Sequence, residues 1–166
     1  MVLTERRYTV DEWLDMPDDG HRYELADGKL VELSPRTPNH GEVLKGLAGL
    51  LMQAEDAGHG EYFGPTLAVV LDPRGARRNA RLPDLLFLRA NHLRLLTGRA
   101  VEGVPDLVIE VLDDGVGQDE LQGGRKFADY ERFGVPHYWV ADPAARTVDQ
   151  FTWRDGHFGM PVVLRA

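Results

Sequence analysis

Glu110 is the residue of this sequence that packing alone explains least. It lies within Leu107-Val108-Ile109-Glu110-Val111-Leu112, where every other side chain is apolar. A buried carboxylate without a partner is unfavourable by several kcal/mol even after relaxation, so it requires an ion pair, a raised pKa or a metal ion. An ion pair with a nearby Arg or Lys is the purely structural interpretation, and it stays open at this point.

Asp84 adds a second carboxylate in a similar setting, at the head of the apolar run Leu85-Leu86-Phe87-Leu88. Neighbouring strands lie about 4.8 Å apart, so two adjacent strands could bring the carboxylates of Asp84 and Glu110 to within about 5 Å of each other. Two anions that close repel unless they share a proton or a divalent cation. A few oxygen ligands with room for water suit Mg²⁺ or Mn²⁺, so such an ion is one way in which this pair of carboxylates could be compensated.

Asp106 is a competing candidate, because Pro105-Asp106-Leu107 has the same local form as Pro83-Asp84-Leu85. Within a strand it would lie about 13 Å from Glu110, at about 3.3 Å per residue. That distance is too long for a shared ion, which favours Asp84 as the partner of Glu110.

Lys126 lies on the helix that the sequence predicts after the Glu110 strand. Phe127, Tyr130 and Phe133 mark the inward face of that helix, and Lys126 lies at the edge of this face. Its ammonium group could reach back over the sheet towards the carboxylates. The alternative is a lysine that extends into solvent, which is the commonest fate of a lysine on a helix.

Three helices are predicted to position these residues. Thr9-Val10-Asp11-Glu12 has the form of a capping box, which predicts a short helix that ends near Pro17. Apolar residues recur at helical spacing from about Pro38 to Ala57. A third helix is predicted from about Gln118 to Phe133 and ends at Gly134.

The remaining segments predict strands and two hairpins. Asp27-Gly28 lies between two strand-like runs, and Asp155-Gly156 does so near the C-terminus; such pairs favour tight hairpin turns. Apolar segments at 66–71, 85–88, 107–112 and 136–140 predict further strands. The order of the elements indicates an α+β fold, with a mixed β-sheet flanked by helices and with N-terminal and C-terminal β-hairpins.

Composition limits the class of protein. The chain has 166 residues, of which 43% are hydrophobic and 28% charged, and this predicts a single folded domain over residues 1–166. It contains no cysteine, which excludes disulfides, thiol nucleophiles and cysteine-bound metals and agrees with a cytoplasmic location. No apolar run approaches the roughly 20 residues of a membrane span, so no membrane association is expected.

The net charge is −8, which argues against tight non-specific binding to nucleic acid. A local basic stretch contains four arginines, and we interpret it as a solvated loop: Arg74, Arg77, Arg78 and Arg81.

A longer string of residues is specific enough to indicate a family. Asp84, then Glu110 in an apolar strand, then a lysine resembles the PD-(D/E)XK nuclease superfamily. The sequence more closely resembles the Uma family of restriction endonuclease-like proteins, in which the lysine lies on the helix after the glutamate strand. The similarity extends over nearly the whole chain, through the segments 22–32, 34–35, His40, 83–85, 105–112, 126–130 and 134–143.

This resemblance implies a restriction endonuclease-like core and a metal-dependent endonuclease that hydrolyses DNA. It implies that Asp84 and Glu110 hold Mg²⁺ or Mn²⁺, with the Val111 carbonyl as a further ligand. Lys126 would orient or activate the attacking water or stabilise charge on the phosphate, and Glu24 matches an acidic position near the metal. The chain departs from the family at Asp113-Asp114, where a serine is common, and this adds negative charge near the cleft.

Two other classes of function stay open. A non-catalytic nucleic-acid-binding or regulatory protein could use the same scaffold, and the charge of −8 favours it mildly. A carboxylate-pair hydrolase such as a glycosidase would need no metal, but its groove should carry several exposed aromatic residues, of which this chain has few.

Several residues have a structural interpretation beside the functional one. Glu24 could pair with Arg22 or Lys29 at the surface, and His40 is expected to make a local hydrogen bond at a helix N-terminus. Three aromatic residues are expected in the core: Tyr138, Trp139 and Trp153. Because cleavage of both strands of a duplex needs two sites, we expect a homodimer, with the C-terminal hairpin as its contact surface through Phe151, Trp153 and Phe158.

Overall fold

The computed structural model of the protein describes residues 6–113 and 124–165. The α-helices in these ranges are α1 (Val10–Leu14), α2 (Pro38–Asp56) and α3 (Arg125–Arg132), and a 3-10 helix covers Ala90–Leu95. The predicted capping box begins α1. The Thr9 hydroxyl accepts the backbone N–H of Glu12, while the Glu12 carboxylate accepts the backbone N–H of Thr9.

The boundaries of the helices agree with the sequence in part. α2 has the predicted extent, and Pro38 at its first position needs no hydrogen-bond partner for a backbone N–H. α1 ends at Leu14, earlier than the predicted end near Pro17. α3 begins at Arg125, because Gly124 before it has an extended backbone. The predicted start of that helix near Gln118 lies outside the described residues.

The strands of the described residues form two sheets. Their bounds are β1 Tyr23–Ala26, β2 Lys29–Glu32, β3 Gly60–Phe63, β4 Ala68–Val70, β5 Ala80–Arg81, β6 Leu85–Arg89, β7 Ala100–Glu102, β8 Leu107–Val111, β9 His137–Asp142, β10 Thr147–Arg154, β11 His157–Phe158 and β12 Val162–Arg165. One sheet has the order β2-β1-β5-β4-β7, and the other has the order β11-β10-β9-β8-β6-β3, with β12 beside β10. In the larger sheet β8 is parallel to β9 and antiparallel to β6, so the predicted α+β fold with a mixed sheet is confirmed.

Both predicted hairpins are present, and their turns have the expected backbone. Asp27 and Gly28 have φ of 46° and 80°, and Asp155 and Gly156 have φ of 52° and 93°. Positive φ at both central residues gives a turn whose twist matches that of the flanking strands. The pairs of residues that indicated the hairpins in the sequence therefore also explain their geometry.

Successive side chains of β8 point to opposite faces of the larger sheet, and a separate apolar core lies against each face. Ile109 packs in a cluster with Leu47 and Leu51 of α2, whereas Val108 packs in a cluster with Tyr130 of α3 and Val69 of β4. One face of the larger sheet is therefore covered by α2. The other face is covered by α3 and by the five-stranded sheet, whose own outer face packs against α1.

Some strands were not predicted. β5 and β7 have two and three residues, too few to show the alternation that identifies a strand, and β3 and β12 were also missed. The expected dimer surface is wrong in part, because Phe151 and Phe158 of the C-terminal hairpin are buried in the core of the same chain. Over residues 6–113 and 124–165, no helix is both long and apolar enough to cross a membrane.

Candidate active site

The pairing of β6 with β8 brings the two predicted carboxylates together. Leu85 lies opposite Ile109, so continuing this antiparallel register by one residue places Asp84 opposite Glu110. The backbone N–H of Val111 donates to Oδ2 of Asp84 at 2.8 Å, which ties Asp84 to the end of β8. Both carboxylates lie on the face of the larger sheet that meets α3 and the five-stranded sheet.

Glu110 is buried, with 4% of its side chain exposed, and both of its carboxylate oxygens have partners. Oε2 accepts from Lys126 Nζ at 3.0 Å and Oε1 accepts from the Tyr130 hydroxyl at 2.9 Å. Burial raises the pKa of Glu110 to about 7; Lys126 opposes this shift, while the negative charges of Asp84 and Glu24 add to it. Glu110 is therefore poised between its ionised and neutral forms near neutral pH.

Lys126 points into the protein and not into solvent, since only 18% of its side chain is exposed. Its Nζ lies 3.0 Å from Oε2 of Glu110 and 3.1 Å from Oε1 of Glu24. Burial alone would lower the pKa of Lys126, but these carboxylates raise it above its ordinary value. Lys126 is thus a fixed positive charge between two acidic side chains.

Glu24 belongs to this cluster, and neither Arg22 nor Lys29 is its partner. Its Oε2 lies 3.1 Å from Arg81 Nη1, and its Oε1 accepts the backbone N–H of Leu82 at 2.9 Å. Burial raises the pKa of Glu24, but Lys126, Arg81 and the Leu82 N–H outweigh it, so the pKa is lowered.

Arg81 corrects the interpretation of the basic stretch as a solvated loop. Its side chain is 1% exposed and forms ion pairs with Glu24 and with Asp129 of α3. Arg77 is likewise engaged, with Asp11 and Glu102. This stretch therefore joins elements of the fold, a role that the sequence did not reveal because the acidic partners are distant along the chain.

Asp84 has two further partners, Arg36 and His40. Oδ1 of Asp84 forms an ion pair with the Arg36 guanidinium and lies 3.3 Å from Nε2 of His40. His40 Nδ1 lies 3.3 Å from Oδ1 of Asp113, but neither ring nitrogen has the alignment of a hydrogen bond. Burial raises the pKa of Asp84, and it is lowered overall by His40, Arg36 and the Val111 N–H.

Sequence reasoning did not identify Arg36 and gave His40 a local role only. The local hydrogen bond exists, from the His40 backbone N–H to the Thr37 hydroxyl at 3.3 Å, but the His40 side chain is buried between two carboxylates. Arg36 lies in a loop without periodic pattern, so nothing in the sequence indicated that its side chain points to Asp84. The proline on each side of Arg36-Thr37, at Pro35 and Pro38, was the available sign of a constrained loop.

Asp106, the competing candidate, lies at the opposite end of β8. It accepts the backbone N–H of Arg89 at 2.9 Å and lies 2.9 Å from Nδ1 of His92. The structure therefore separates Asp106 from the cluster around Glu110.

The donor set has the chemistry that a hard divalent cation requires. Two buried carboxylates lie side by side, and the backbone of Val111 is adjacent to both. Each carboxylate oxygen has a protein partner, so a cation would have to compete with Arg36 for Oδ1 of Asp84 and with Lys126 for Oε2 of Glu110. Within the two described ranges, no group of three or more His, Cys, Asp or Glu residues is arranged to hold a metal ion.

A comparison with family models decides the family. The model of the Uma2 family, described as "Putative restriction endonuclease", matches residues 10–165. The chain belongs to the Uma2 family.

A solved structure shares the Uma2 fold of this chain. It is the crystal structure of a "putative nuclease" from Anabaena variabilis, with a TM-score of 0.73 at 16% identity, covering 95% of this chain and 84% of that one. This likeness confirms the restriction endonuclease-like fold. No match was found among curated proteins.

Asp113, one of the two acidic residues that follow β8, can be placed in the fold. Asp113, where a serine was expected, accepts the backbone N–H of Thr37 at 3.0 Å and the Thr37 hydroxyl at 3.1 Å. Its carboxylate therefore fixes the start of α2 and the position of His40. Asp114 lies outside the described residues.

Proposed function

We propose that this protein is a metal-dependent endonuclease that hydrolyses phosphodiester bonds of DNA. The observation that supports this most directly is the convergence of two buried carboxylates, Asp84 and Glu110, with the ammonium group of Lys126. Membership of a nuclease family agrees with it. An activated water and positive charge beside the phosphate are what phosphodiester hydrolysis needs, and this set of residues can supply both.

Asp84 and Glu110 would hold a Mg²⁺ or Mn²⁺ ion, with the Val111 carbonyl as a further ligand. Such an ion, when bound, lowers the pKa of a water molecule and neutralises charge on a phosphoryl oxygen. The pKa of Asp84 is lowered and that of Glu110 is raised, which fits a pair in which Asp84 favours its charged form and a bound cation would favour the charged form of Glu110.

Lys126 would orient the attacking water or stabilise negative charge on the phosphate. Its ammonium group is held between Glu110 and Glu24. A charge that is already in position stabilises the transition state without any rearrangement of the side chain during the reaction. Glu24 would act by holding Lys126 in place, because it contacts both Lys126 and the buried Arg81.

A non-catalytic protein on a nuclease scaffold is the second candidate. The observation that favours it is the complete pairing of the site: both oxygens of Asp84 and of Glu110 already have protein partners. In that case the cluster would serve only to join α3 to the two sheets.

Incubation of the protein with supercoiled plasmid distinguishes the two candidates. We expect nicked or linear DNA with Mg²⁺ or Mn²⁺ and none with EDTA. Glu110→Gln should abolish cleavage, whereas Asp106→Asn, which makes the same chemical change at the other end of β8, should retain it. Equal cleavage by the parent protein and Glu110→Gln would point to a contaminating nuclease, and absence of cleavage under all conditions would favour the second candidate.

A further inference from the structure

Arg36 makes a contact that the proposed hydrolysis does not use. It lies in the segment between the end of β2 at Glu32 and the start of α2 at Pro38, and its guanidinium forms an ion pair with Oδ1 of Asp84. The side chain of Asp84 is 5% exposed, whereas that of Arg36 is 24% exposed. Arg36 thus reaches from the surface to a buried carboxylate.

The two oxygens of Asp84 are not equivalent. Oδ2 accepts the backbone N–H of Val111 at 2.8 Å, so it is bound to a rigid strand. Oδ1 is bound by side chains, the guanidinium of Arg36 and, at 3.3 Å, the ring of His40. Because side chains can rotate away and the strand cannot, Oδ1 is the oxygen that another cation can take.

Arg36 and a divalent cation would compete for this oxygen. Both are positive, both need the same lone pairs, and like charges at such a short distance repel strongly in a buried site. A cation shared by Asp84 and Glu110 therefore requires the guanidinium of Arg36 to move.

Arg22 places a second guanidinium group near Arg36. Arg22 is fixed, since its Nη2 donates to the carbonyl of Pro65 at 2.6 Å. Burial lowers the pKa of Arg22 and the nearby charge of Arg36 lowers it further, while the carboxylates of the site oppose this shift. A guanidinium released at the rim of the site is suited to bind a phosphate through paired hydrogen bonds.

We propose that Arg36 is a displaceable counter-ion: a divalent cation takes its place at Asp84, and the released guanidinium binds a phosphate of the nucleic acid. This inference rests on the proposed function, because it needs a cation at Asp84 and Glu110. It gives the protein a single residue that links occupancy of the metal site to binding of the nucleic acid.

Two binding measurements without turnover test the proposal. The first is calorimetric titration of Mn²⁺ alone into the parent protein, Arg36→Gln and Arg74→Gln, the last being an exposed arginine with the same change of charge. We expect Arg36→Gln to bind Mn²⁺ about tenfold more tightly than the parent, since one competing ion pair is lost, and Arg74→Gln to match the parent. Arg36→Lys keeps the competing charge, so its Mn²⁺ affinity should stay near that of the parent.

The second measurement is the binding of a labelled phosphorothioate DNA duplex in the presence of Mn²⁺ at several salt concentrations. Arg36→Gln should bind the duplex more weakly, and its slope of log affinity against log salt should be smaller by about one, because one phosphate contact is lost. A tighter Mn²⁺ affinity with unchanged DNA affinity and slope would overturn the phosphate-binding half of the proposal.

The outcomes separate this inference from the function on which it rests. A parent protein that binds no Mn²⁺ overturns both. A parent that binds Mn²⁺ beside an Arg36→Gln variant with equal or weaker affinity overturns the displacement alone and leaves the metal-dependent nuclease standing. Circular dichroism of each variant establishes that the fold is retained, and Arg36→Met, which also removes the charge, provides the same test if Arg36→Gln does not fold.

Discussion

Glu110 should make the stability of the protein fall as the pH rises towards neutrality. Its pKa is raised from the ordinary 4.5 to about 7 in the folded chain, so the folded state holds this proton more tightly than the unfolded state does. Between these two pH values the folded state binds more protons, and stability therefore decreases with increasing pH. The stabilisation from this more tightly held proton is therefore complete below about pH 4.5 and lost above about pH 7.

The size of the effect follows from the same two values. Each pKa unit corresponds to about 1.36 kcal/mol, so the interval from 4.5 to about 7 corresponds to about 3 kcal/mol of unfolding free energy. Glu110→Gln should remove this dependence. The amide oxygen still accepts the Tyr130 hydroxyl, and Lys126 keeps Glu24 as a partner, so the variant should fold.

Urea unfolding of both proteins in EDTA, at several pH values between about 4 and 8, measures this contribution. Groups that do not interact with Glu110 contribute equally in both proteins and cancel in the difference. Glu61→Gln, on the exposed side of β3, controls for the change in net charge. If the difference in unfolding free energy between the parent and Glu110→Gln stays constant across this range, Glu110 does not hold its proton as argued.

The other predictions concern activity, the buried ion pairs and assembly. Lys126→Met should lower plasmid cleavage by about 10²–10³-fold, because lysine supplies positive charge at the phosphate. The Mn²⁺-induced increase in melting temperature should remain, because lysine is not a metal ligand, and loss of that increase would contradict this role of Lys126. Arg81→Met should lower the unfolding free energy by about 3–5 kcal/mol, since it leaves Asp129 buried without a counter-ion and Glu24 with Lys126 alone. A urea titration that shows less than about 1 kcal/mol would count against it. Asp106→Asn should cost about 1–3 kcal/mol through its contacts with Arg89 and His92 and leave cleavage intact. Light scattering should give the mass of a homodimer; the mass of one chain at micromolar concentrations would argue against it.

The sequence could locate the carboxylates because each interrupts an apolar run. Asp84 and Glu110 are conspicuous where every neighbour is hydrophobic, and the two runs form adjacent strands as predicted. Lys126 was recognised by its helix and by the resemblance to a family. The functional roles of these residues stay predictions, which the experiments above address.

The partners of these residues could not be predicted in the same way. Arg36 reaches Asp84, and Arg81 reaches Glu24 and Asp129, through tertiary contacts that leave no periodic trace in one sequence. The division of the strands into two sheets was missed for a related reason. The short strand β5 connects β1 to β4, and two residues cannot show an alternating pattern.

The ionic cluster between the two sheets also constrains how this sequence can evolve. Glu24, Arg81 and Asp129 form a chain of ion pairs, and Lys126 links this chain to Glu110. A substitution that removes Arg81 leaves Asp129 buried without a counter-ion, so it is selected against whether or not the protein cleaves DNA. A lineage that lost catalysis but kept the fold would therefore lose these charges in complementary pairs replaced together by apolar residues, and that pattern would distinguish it from its active relatives.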